Sequence, residues 1–335
     1  MTLPMCQRAV VVEEVGRPEV LQYRDDYSIP VPTEGQILVK NNIAGINYID
    51  TYFRGGLYPS SKPVVLGREA VGTVVALGPS TDTHGLRVGD RVIWLGTGGY
   101  AEYTAVSAAK AMKLPAGISD EDATASFLSG LTCLAFTDET YKVKPDDWVL
   151  VHAAAGGVGL LMTQILKSIG AKVIGTAGGP DKVALVKGLG ADHVIDYRSP
   201  EGDEWPEVVN RITGGKGVDL VFDSVGKDTW EGSLQVVKRK GSVIWFGNAS
   251  GPVPPLPLAR LSQKCVKVAR PTLLGYLDTR EEFEFYAQKL FDLILKDNLK
   301  INIHKVYPLH AVKQAHEDLE GRKTMGKLLL SMTRT

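Results

Sequence analysis

The sequence has few cysteines, no long apolar runs and no net charge, and each shortage excludes a class of protein. Its 335 residues include three cysteines, Cys6, Cys133 and Cys265. Their odd number and wide spacing argue against a disulfide framework and favour a reducing compartment. Lys plus Arg and Asp plus Glu both number 38, so no global field attracts nucleic acid or an anionic membrane. No run approaches the ~18 apolar residues that would span a bilayer. We therefore expect a cytoplasmic protein without a membrane partner.

Glycine is in excess, with 36 residues. The pattern of apolar runs along the sequence changes near residue 130. Before that point, short apolar runs at 37–40, 71–77, 91–95 and 100–106 predict a mostly antiparallel, barrel-like sheet. From about residue 148 to 270, strands and helices alternate, which predicts a parallel, doubly wound sheet. The later helical stretches and a strand at 325–332 resemble the part of the chain before residue 130 and not the alternating segment. We predict a nucleotide-type domain, 132–271, inserted between the two parts of another domain, 1–131 and 272–335.

The segment 153–159, AAAGGVG, follows a predicted strand and opens a helix whose apolar residues share one face. This is the context of a dinucleotide-binding fingerprint, G-x-G-x-x-G, with Ala154 in place of the first glycine. Gly156 would let the backbone approach a pyrophosphate, and Gly159 would let helix and strand pack closely. The helix N-terminus would add N–H groups and a partial positive charge. A plain tight turn is the less favoured interpretation.

The strand after this helix indicates which nicotinamide cofactor binds. NAD enzymes place an acid about 20 residues after the glycines to bind the ribose hydroxyls. Here that strand ends in 175–179, GTAGG, without an acid. Lys182 and Thr176 offer a cation and a hydroxyl for a 2′-phosphate, which favours NADPH, although a solvated surface role for Lys182 stays open. We expect Asp181 to cap its helix, and Asp228 to begin another helix in a capping box with Glu231.

Six strings spread along the chain carry a family resemblance: GINYIDTYFRGGLYP (45–59), SFLSGLT (126–132), HAAAGGVG (152–159), FDSVGKDTW (222–230), FGNASG (246–251) and RPTLLGY (270–276). In this order they resemble the zeta-crystallin-type quinone oxidoreductases, in the zinc-free branch of the medium-chain dehydrogenases/reductases. The resemblance covers essentially the whole chain from Ala9. It implies an α/β protein with a Rossmann-type, doubly wound parallel sheet and a GroES-like, mostly antiparallel β-barrel catalytic domain.

The resemblance also implies roles for individual residues. It assigns the nicotinamide and quinone pocket to Asn47, Tyr52 and Tyr58. It assigns cofactor binding to Thr132 near the nicotinamide, to Gly156, Gly157 and Val158 at the pyrophosphate, to Lys182, Tyr197 and Arg322 at the 2′-phosphate, and to Phe246 and Asn248 at a strand end. Ser224 and Val225 join this set because open parallel sheets bind ligands at such strand ends. Either tyrosine could donate a hydrogen bond to a quinone oxygen, but a role as pocket wall is favoured for both.

Zinc-dependent relatives carry a thiolate in a G-I-C motif and an imidazole in a G-H-E motif. The corresponding strings here are Gly45-Ile46-Asn47 and Gly67-Arg68-Glu69. A charged guanidinium cannot bind a metal and an amide is a poor zinc ligand, so we expect no metal. For Glu69 and Asp50, an ion pair or capping bond that supports Arg68 or a turn is favoured over acid–base chemistry.

These observations predict a zinc-independent reductase that transfers electrons from NADPH to a small-molecule quinone, which in some members of the family yields a semiquinone. One alternative is an NADPH-dependent reductase of α,β-unsaturated carbonyls. Another is secondary binding of AU-rich RNA, known for some relatives but disfavoured as the main role by the neutral charge. An open edge strand near 265–270 predicts a homodimer.

Overall fold

The computed structural model describes residues 4–297 and 299–333, which divide into two compact units. The first unit combines Met1–Leu128 with Thr279–Thr335, and the second is Ser129–Asp278. The outermost residues of the predicted domains, 1–3 and 334–335, lie outside the described part of the chain.

Strands and helices are numbered in chain order. The strands are β1 (Cys6–Val12), β2 (Gln22–Ser28), β3 (Gln36–Ile46), β4 (Val64–Val65), β5 (Glu69–Leu77), β6 (Arg91–Leu95), β7 (Tyr103–Ser107), β8 (Ala111–Lys113), β9 (Trp148–Val151), β10 (Lys172–Ala177), β11 (His193–Asp196), β12 (Val218–Asp223), β13 (Val237–Trp245), β14 (Lys267–Ala269), β15 (Ile303–Pro308) and β16 (Lys327–Ser331). The α-helices are α1 (Tyr48–Gly55), α2 (Asp120–Ala135), α3 (Gly157–Ile169), α4 (Pro180–Gly188), α5 (Trp205–Ile212), α6 (Trp230–Val236), α7 (Ala259–Ser262), α8 (Arg280–Leu295) and α9 (Val312–Glu320).

The first unit is built on a mostly antiparallel sheet in the order β15-β16-β3-β5-β6-β8, with β7 also paired to β3. A smaller sheet has the order β2-β1-β4. Alternating apolar residues of these strands enclose a core that contains Trp94, Tyr100 and Tyr307. Strand β16 pairs with β3, and β3 pairs with β5. The start of β16, the end of β3 and the start of β5 therefore meet at one end of the sheet.

The second unit is built on a parallel sheet in the order β11-β10-β9-β12-β13-β14. Its central strands are almost continuously apolar, as expected for strands covered on both faces. The strand order reverses between β9 and β12. This is the order of the dinucleotide-binding sheets, in which ligands bind outside the carboxyl ends of the strands at the reversal. The α/β class and the doubly wound sheet predicted from the sequence are confirmed.

The structure confirms the expected end of helix α3 and differs from the expected starts of α4 and α6. Helix α3 ends at Gly170, which adopts the left-handed conformation with φ of 93°. The expected cap at Asp181 is wrong, because α4 begins at Pro180 with Gly179 as its N-cap. Proline suits the first helical position, so Asp181 falls within the first turn instead.

The expected capping box at Asp228 is also wrong. Thr229 is the N-cap of α6, and its hydroxyl donates to Asp223 at 2.8 Å rather than accepting from the helix. The strand predicted at 100–106 begins only at Tyr103, because the Tyr100 N–H donates to the Leu66 carbonyl at 2.9 Å and Ala101 forms only an isolated bridge with Ala9. Every helix in the described part of the chain is too short or too polar to cross a membrane.

Candidate functional site

The glycine-rich corner lies directly after β9 in the second unit. Ala153 adopts a positive φ of 51°, and the Ala154 N–H donates to the Thr176 carbonyl at 2.9 Å. A Cβ atom on Gly159 would lie 2.5 Å from the Ala153 oxygen, so only glycine allows α3 to start this close to the strand end. The first N–H groups of a helix, here those of Gly157 and Val158, have no partner within the helix. This corner can bind an anionic group such as a pyrophosphate.

A buried chain of polar side chains supports the corner from below. His152 contacts the Thr176 hydroxyl through Nδ1 and the Ser233 hydroxyl through Nε2, both at 3.2 Å. Ser233 in turn donates to Asp223 Oδ2 at 3.0 Å. Burial lowers the pKa of His152, with Asp223 opposing the shift. The ends of β9, β10 and β12 are therefore tied together by side chains.

These hydrogen bonds occupy the side chain of Thr176, which was predicted to contact the 2′-phosphate. Its side chain is buried, and its hydroxyl also accepts from the Ala153 N–H at 3.2 Å. The hydroxyl thus supports the corner, and its role as a cofactor contact stays a prediction. His152, for which a core or surface role was expected, is fully enclosed.

Two backbone loops run side by side at the ends of β12 and β13. Asp223 Oδ1 accepts from the Val225 N–H at 2.9 Å, which fixes the turn through Ser224. The Ala249 N–H donates to the Ser224 carbonyl at 3.2 Å, and a Cβ atom on Gly247 would lie 2.3 Å from that same oxygen. The structure therefore brings together four of the predicted cofactor residues: Ser224, Val225, Phe246 and Asn248.

The end of α2 lies against the start of α3. The Cys133 thiol donates to the Val158 carbonyl at 3.5 Å, and burial raises the pKa of this thiol. Thr132, the residue before it, is buried on the same helix. Helical packing, the role expected for Cys133, agrees with this position, and Thr132 lies within the unit that carries the glycine corner.

A second cluster, at the end of β10, has the chemistry of a phosphate site. A Cβ atom on Gly178 would lie 2.6 Å from the Tyr197 hydroxyl, so the tyrosine ring covers this glycine. Burial and then the charge of Arg198 lower the pKa of Lys182. Asp196 Oδ1 accepts the N–H groups of Gly179 and Arg198, at 2.8 and 2.9 Å. The charge of Arg198 disfavours that of Lys182, and a bound dianion would favour both cations.

Arg198 was missed at the sequence level, although it directly follows the predicted Tyr197. The Nη1 atom of Arg198 lies 4.0 Å from the position of a Cβ on Gly179, which places the guanidinium beside the N-terminus of α4. Arg322, predicted for the same phosphate, belongs to the first unit and follows α9 with a positive φ of 55°. Its charge opposes the burial that raises the pKa of Tyr48.

The first unit brings together Asn47, Tyr52 and Tyr58 around α1. Asn47 is the N-cap of this helix, and its N–H donates to Asp50 Oδ2 at 2.8 Å. The ring centroids of Tyr52 and Tyr58 lie 5.2 Å apart, and the Tyr58 N–H donates to the Tyr52 carbonyl at 3.1 Å. Phe53 packs edge-on against Tyr58 at 5.6 Å. The result is an aromatic wall next to an amide.

An ion pair that the sequence analysis did not predict is buried beside Asn47. Lys327, at the start of β16, contacts Glu69 Oε1 at 2.7 Å and also touches Asn47 Oδ1. Its side chain is 4% exposed and that of Glu69 0%. The second carboxylate oxygen, Oε2, accepts from the Leu128 N–H at 2.6 Å. The sequence signal for this pair was a lysine directly before the apolar run 328–330.

The ion pair also corrects the expected support for Arg68. The guanidinium of Arg68 lies over the Phe53 ring at 5.3 Å and donates to Thr97 at 2.6 Å, whereas Glu69 pairs with Lys327. Burial lowers the pKa of Arg68, with Asp50 opposing. Within residues 4–297 and 299–333, no group of three or more His, Cys, Asp or Glu side chains could hold a metal ion.

A buried hydrogen-bond chain links α9 to α1. Arg54 Nη1 lies 2.9 Å from His316 Nδ1, and since a guanidinium only donates, Nδ1 must accept. The neutral imidazole then carries its proton on Nε2, 3.2 Å from the Tyr100 hydroxyl. Tyr100 donates to Asp50 Oδ2 at 2.8 Å. The chain therefore runs in one direction, from Arg54 through His316 and Tyr100 to Asp50.

Burial perturbs two titratable members of this hydrogen-bond chain, His316 and Asp50. It lowers the pKa of His316 to about 3, with the positive charge of Arg54 acting in the same direction. It raises the pKa of Asp50 to about 6, although the hydrogen bonds from Asn47 and Tyr100 oppose the shift. Asp50 Oδ1 is buried without a hydrogen-bond partner among the described residues. The expected capping role of Asp50 is thus accompanied by a strongly perturbed carboxyl group.

Two protein-family models match this chain, one in each of its two long segments. Residues 33–116 match the family model of the alcohol dehydrogenase GroES-like domain, and residues 157–291 match that of the zinc-binding dehydrogenases. These two models define the class as a medium-chain dehydrogenase/reductase.

Relatives along the whole chain narrow the family. The quinone oxidoreductase of Salmonella typhimurium is 47% identical over 94% of this chain and 96% of its own length. The structure of Escherichia coli quinone oxidoreductase complexed with NADPH matches with a TM-score of 0.92 and 44% identity, over 97% of this chain and 99% of the other. A mycobacterial protein complexed with NADPH matches with a TM-score of 0.93 and 40% identity, over the same shares of the two chains. The chain belongs to the quinone oxidoreductase family.

Proposed function

We propose that this protein is an NADPH-dependent quinone reductase. The observation that supports NADPH as the cofactor is the cluster at the end of β10, where Lys182 and Arg198 lie beside Tyr197 and a pair of glycines. A 2′-phosphate supplies the dianion that this cluster suits, and NADH lacks it. Bound NADPH would supply the reducing equivalents.

We infer that the rest of the cofactor binds along the carboxyl ends of the parallel strands. Gly156, Gly157 and Val158 would bind the pyrophosphate through the N-terminus of α3. The proposed contacts nearer the nicotinamide are Thr132, Ser224, Val225, Phe246 and Asn248. Arg322 stays a predicted 2′-phosphate contact on the resemblance alone. In this proposal segment 132–271 binds the cofactor, and segments 1–131 and 272–335 carry the substrate pocket.

We propose that the quinone lies against the aromatic wall formed by Tyr52, Phe53 and Tyr58. A flat conjugated ring stacks favourably on aromatic side chains, and the Asn47 amide can donate a hydrogen bond to a quinone oxygen. Tyr52 is buried, and Phe53 and Tyr58 are half-buried, which limits water along this wall.

The test is oxidation of NADPH by the purified protein with para-benzoquinone, and separately with cinnamaldehyde as an activated alkene. We expect quinone turnover to dominate, and NADH to support it more weakly than NADPH. Absence of turnover with the quinone would overturn the proposal, and faster turnover with the aldehyde would assign the protein to alkene reduction. RNA binding that competes with NADPH would show a second role.

We further propose a homodimer formed through strand β14, the last strand in the order of the parallel sheet. Its residues Lys267 and Val268 are exposed, so the free edge can pair with the same strand of a second copy. Light scattering should give twice the mass of one chain, and the mass of a single chain would contradict this. The cytoplasmic location stays a proposal, which rests on three cysteines that form no disulfide.

A further inference from the structure

The Asn47 amide is held between two charged groups that each tolerate only one orientation of it. Lys327 is an ammonium group and can only donate, so the Asn47 atom that it touches must be the carbonyl oxygen. Glu69 is a carboxylate and can only accept, so the atom 3.0 Å from its Oε1 must be Nδ2. A rotated amide would place N–H groups against the ammonium and a carbonyl against the carboxylate. The ion pair therefore fixes which end of the amide lies where.

We propose that Lys327 is a positioning residue of the quinone reductase reaction, which acts by holding the Asn47 amide so that Nδ2 is presented to the substrate as a hydrogen-bond donor. Donation to Glu69 uses one N–H bond of Nδ2, and the second is the one that Asn47 can offer to a quinone oxygen. This inference rests on the proposed function, since it assigns a role within the same pocket.

The surroundings of Glu69 show that the carboxylate is held rigidly. A Cβ atom on Gly45 would lie 2.3 Å from Glu69 Oε1, so the glycine of β3 leaves room for this oxygen. The other oxygen is occupied by the Leu128 N–H. Glu69 thus has fixed partners on both oxygens, and Lys327 and Asn47 share the same one.

Stability alone does not account for this arrangement. Removing two charges from water costs more than a buried pair usually returns, and well-packed apolar residues of similar volume are often as stable or more so. Lys327 and Glu69 are both almost completely buried. What apolar residues cannot do is select one orientation of a neighbouring amide, which is the function that we assign to the pair.

The experiment uses the double variant Glu69→Gln/Lys327→Met in the full-length protein. It removes both charges together and leaves no unpaired buried charge, so the fold should persist. A glutamine at 69 can donate or accept, so the Asn47 amide loses its single orientation. We expect an unfolding temperature close to that of the parent and unchanged NADPH affinity. We expect kcat with para-benzoquinone to fall about tenfold or more, as for loss of a preorganised donor.

A cycle with Asn47→Ala separates positioning from a general effect on the fold. If Lys327 acts through Asn47, then adding Glu69→Gln/Lys327→Met to Asn47→Ala should lower kcat no further. Losses that multiply in the combined variant would overturn the proposal. So would a folded double variant that keeps the parent kcat.

An NMR measurement tests the orientation of the Asn47 amide independently of quinone turnover, which tests the proposed function. The side-chain amide signal of Asn47 in a nitrogen-15 NMR spectrum can be identified by its loss in Asn47→Ala. We expect one sharp pair of proton signals in the parent, and broadened or doubled signals in Glu69→Gln/Lys327→Met. One unchanged pair in both proteins would refute the orientation argument, even if the parent reduces quinones. If the parent has no quinone turnover, the proposed function fails, and with it the role in catalysis.

Discussion

Replacing Lys182 by methionine should weaken NADPH binding while leaving NADH binding unchanged. The lysine lies half-buried on α4, close enough to Arg198 for that charge to lower its pKa. Methionine keeps most of the apolar stem and removes only the charge. A charge-assisted hydrogen bond to a phosphate contributes about 1.5–3 kcal/mol, which corresponds to a factor of about 10 to 150 in Kd. Because water reaches the lysine and screens it, we expect the lower end, about tenfold.

The assay is titration of the protein with NADPH and with NADH, monitored by isothermal calorimetry at two salt concentrations. The difference between the two cofactors isolates the 2′-phosphate, and it should shrink as salt screens the cluster. Lys187→Met is the matched control, since this exposed lysine lies in the last turn of the same helix. An equal loss for both cofactors would show that Lys182 supports the fold or another part of the cofactor. No loss for either cofactor would refute the assignment of the phosphate cluster.

Three further predictions concern backbone fit and pH. Gly159→Ala places a methyl group 2.5 Å from the Ala153 oxygen, so it should weaken both cofactors equally in the same titration and lower the unfolding free energy by about 1–3 kcal/mol. The pKa of His316 is about 3 in the folded protein and 6.5 in the unfolded chain. The fold is stabilised by the neutral imidazole, and this stabilisation is lost as the pH falls from 6.5 to about 3, by about 5 kcal/mol in all. His316→Gln, which cannot titrate, should make urea unfolding less sensitive to acid, and an unchanged acid dependence would contradict this. The pKa of Asp50, about 6, lies above its value of 3.8 in the unfolded chain, so the fold loses about 3 kcal/mol as pH rises through this window. Asp50→Asn should remove that loss, and parallel pH profiles for variant and parent would refute it.

What could be predicted from the sequence depended on local patterns. The corner at 153–159 and the helix after it are set by neighbouring residues, because glycine spacing and helical periodicity act over a few turns. The alternation of strands and helices likewise predicted the parallel sheet before its strand order was known. The misplaced caps at Asp181 and Asp228 show the limit of this approach. An aspartate is a good cap in isolation, but Pro180 fixed the start of one helix and Asp223 engaged the N-cap threonine of the other.

Contacts between distant parts of the chain could not be read in this way. Lys327 and Glu69 are 258 positions apart and meet only because β16 and β5 flank β3. Arg54 and His316 are 262 positions apart and meet because α9 packs near α1. Arg198 was missed for another reason: nothing in its local sequence distinguishes it from an ordinary surface arginine. The three pocket residues could be named only through the family resemblance, and their roles stay predictions.

The position of β16 between β15 and β3 also determines the order in which the molecule can be completed during synthesis. Residues 129–278 leave the ribosome before 303–331, so the middle unit can close its own sheet first. Until then β3 has its partners β5 and β7, but its residues 43–46, which pair with β16, lack a partner on that side and their apolar edge stays open. An unpaired strand edge is a template for association with other chains. The first-made half of the protein therefore depends on a late-made strand, and truncation before that strand should yield aggregation rather than a smaller folded protein.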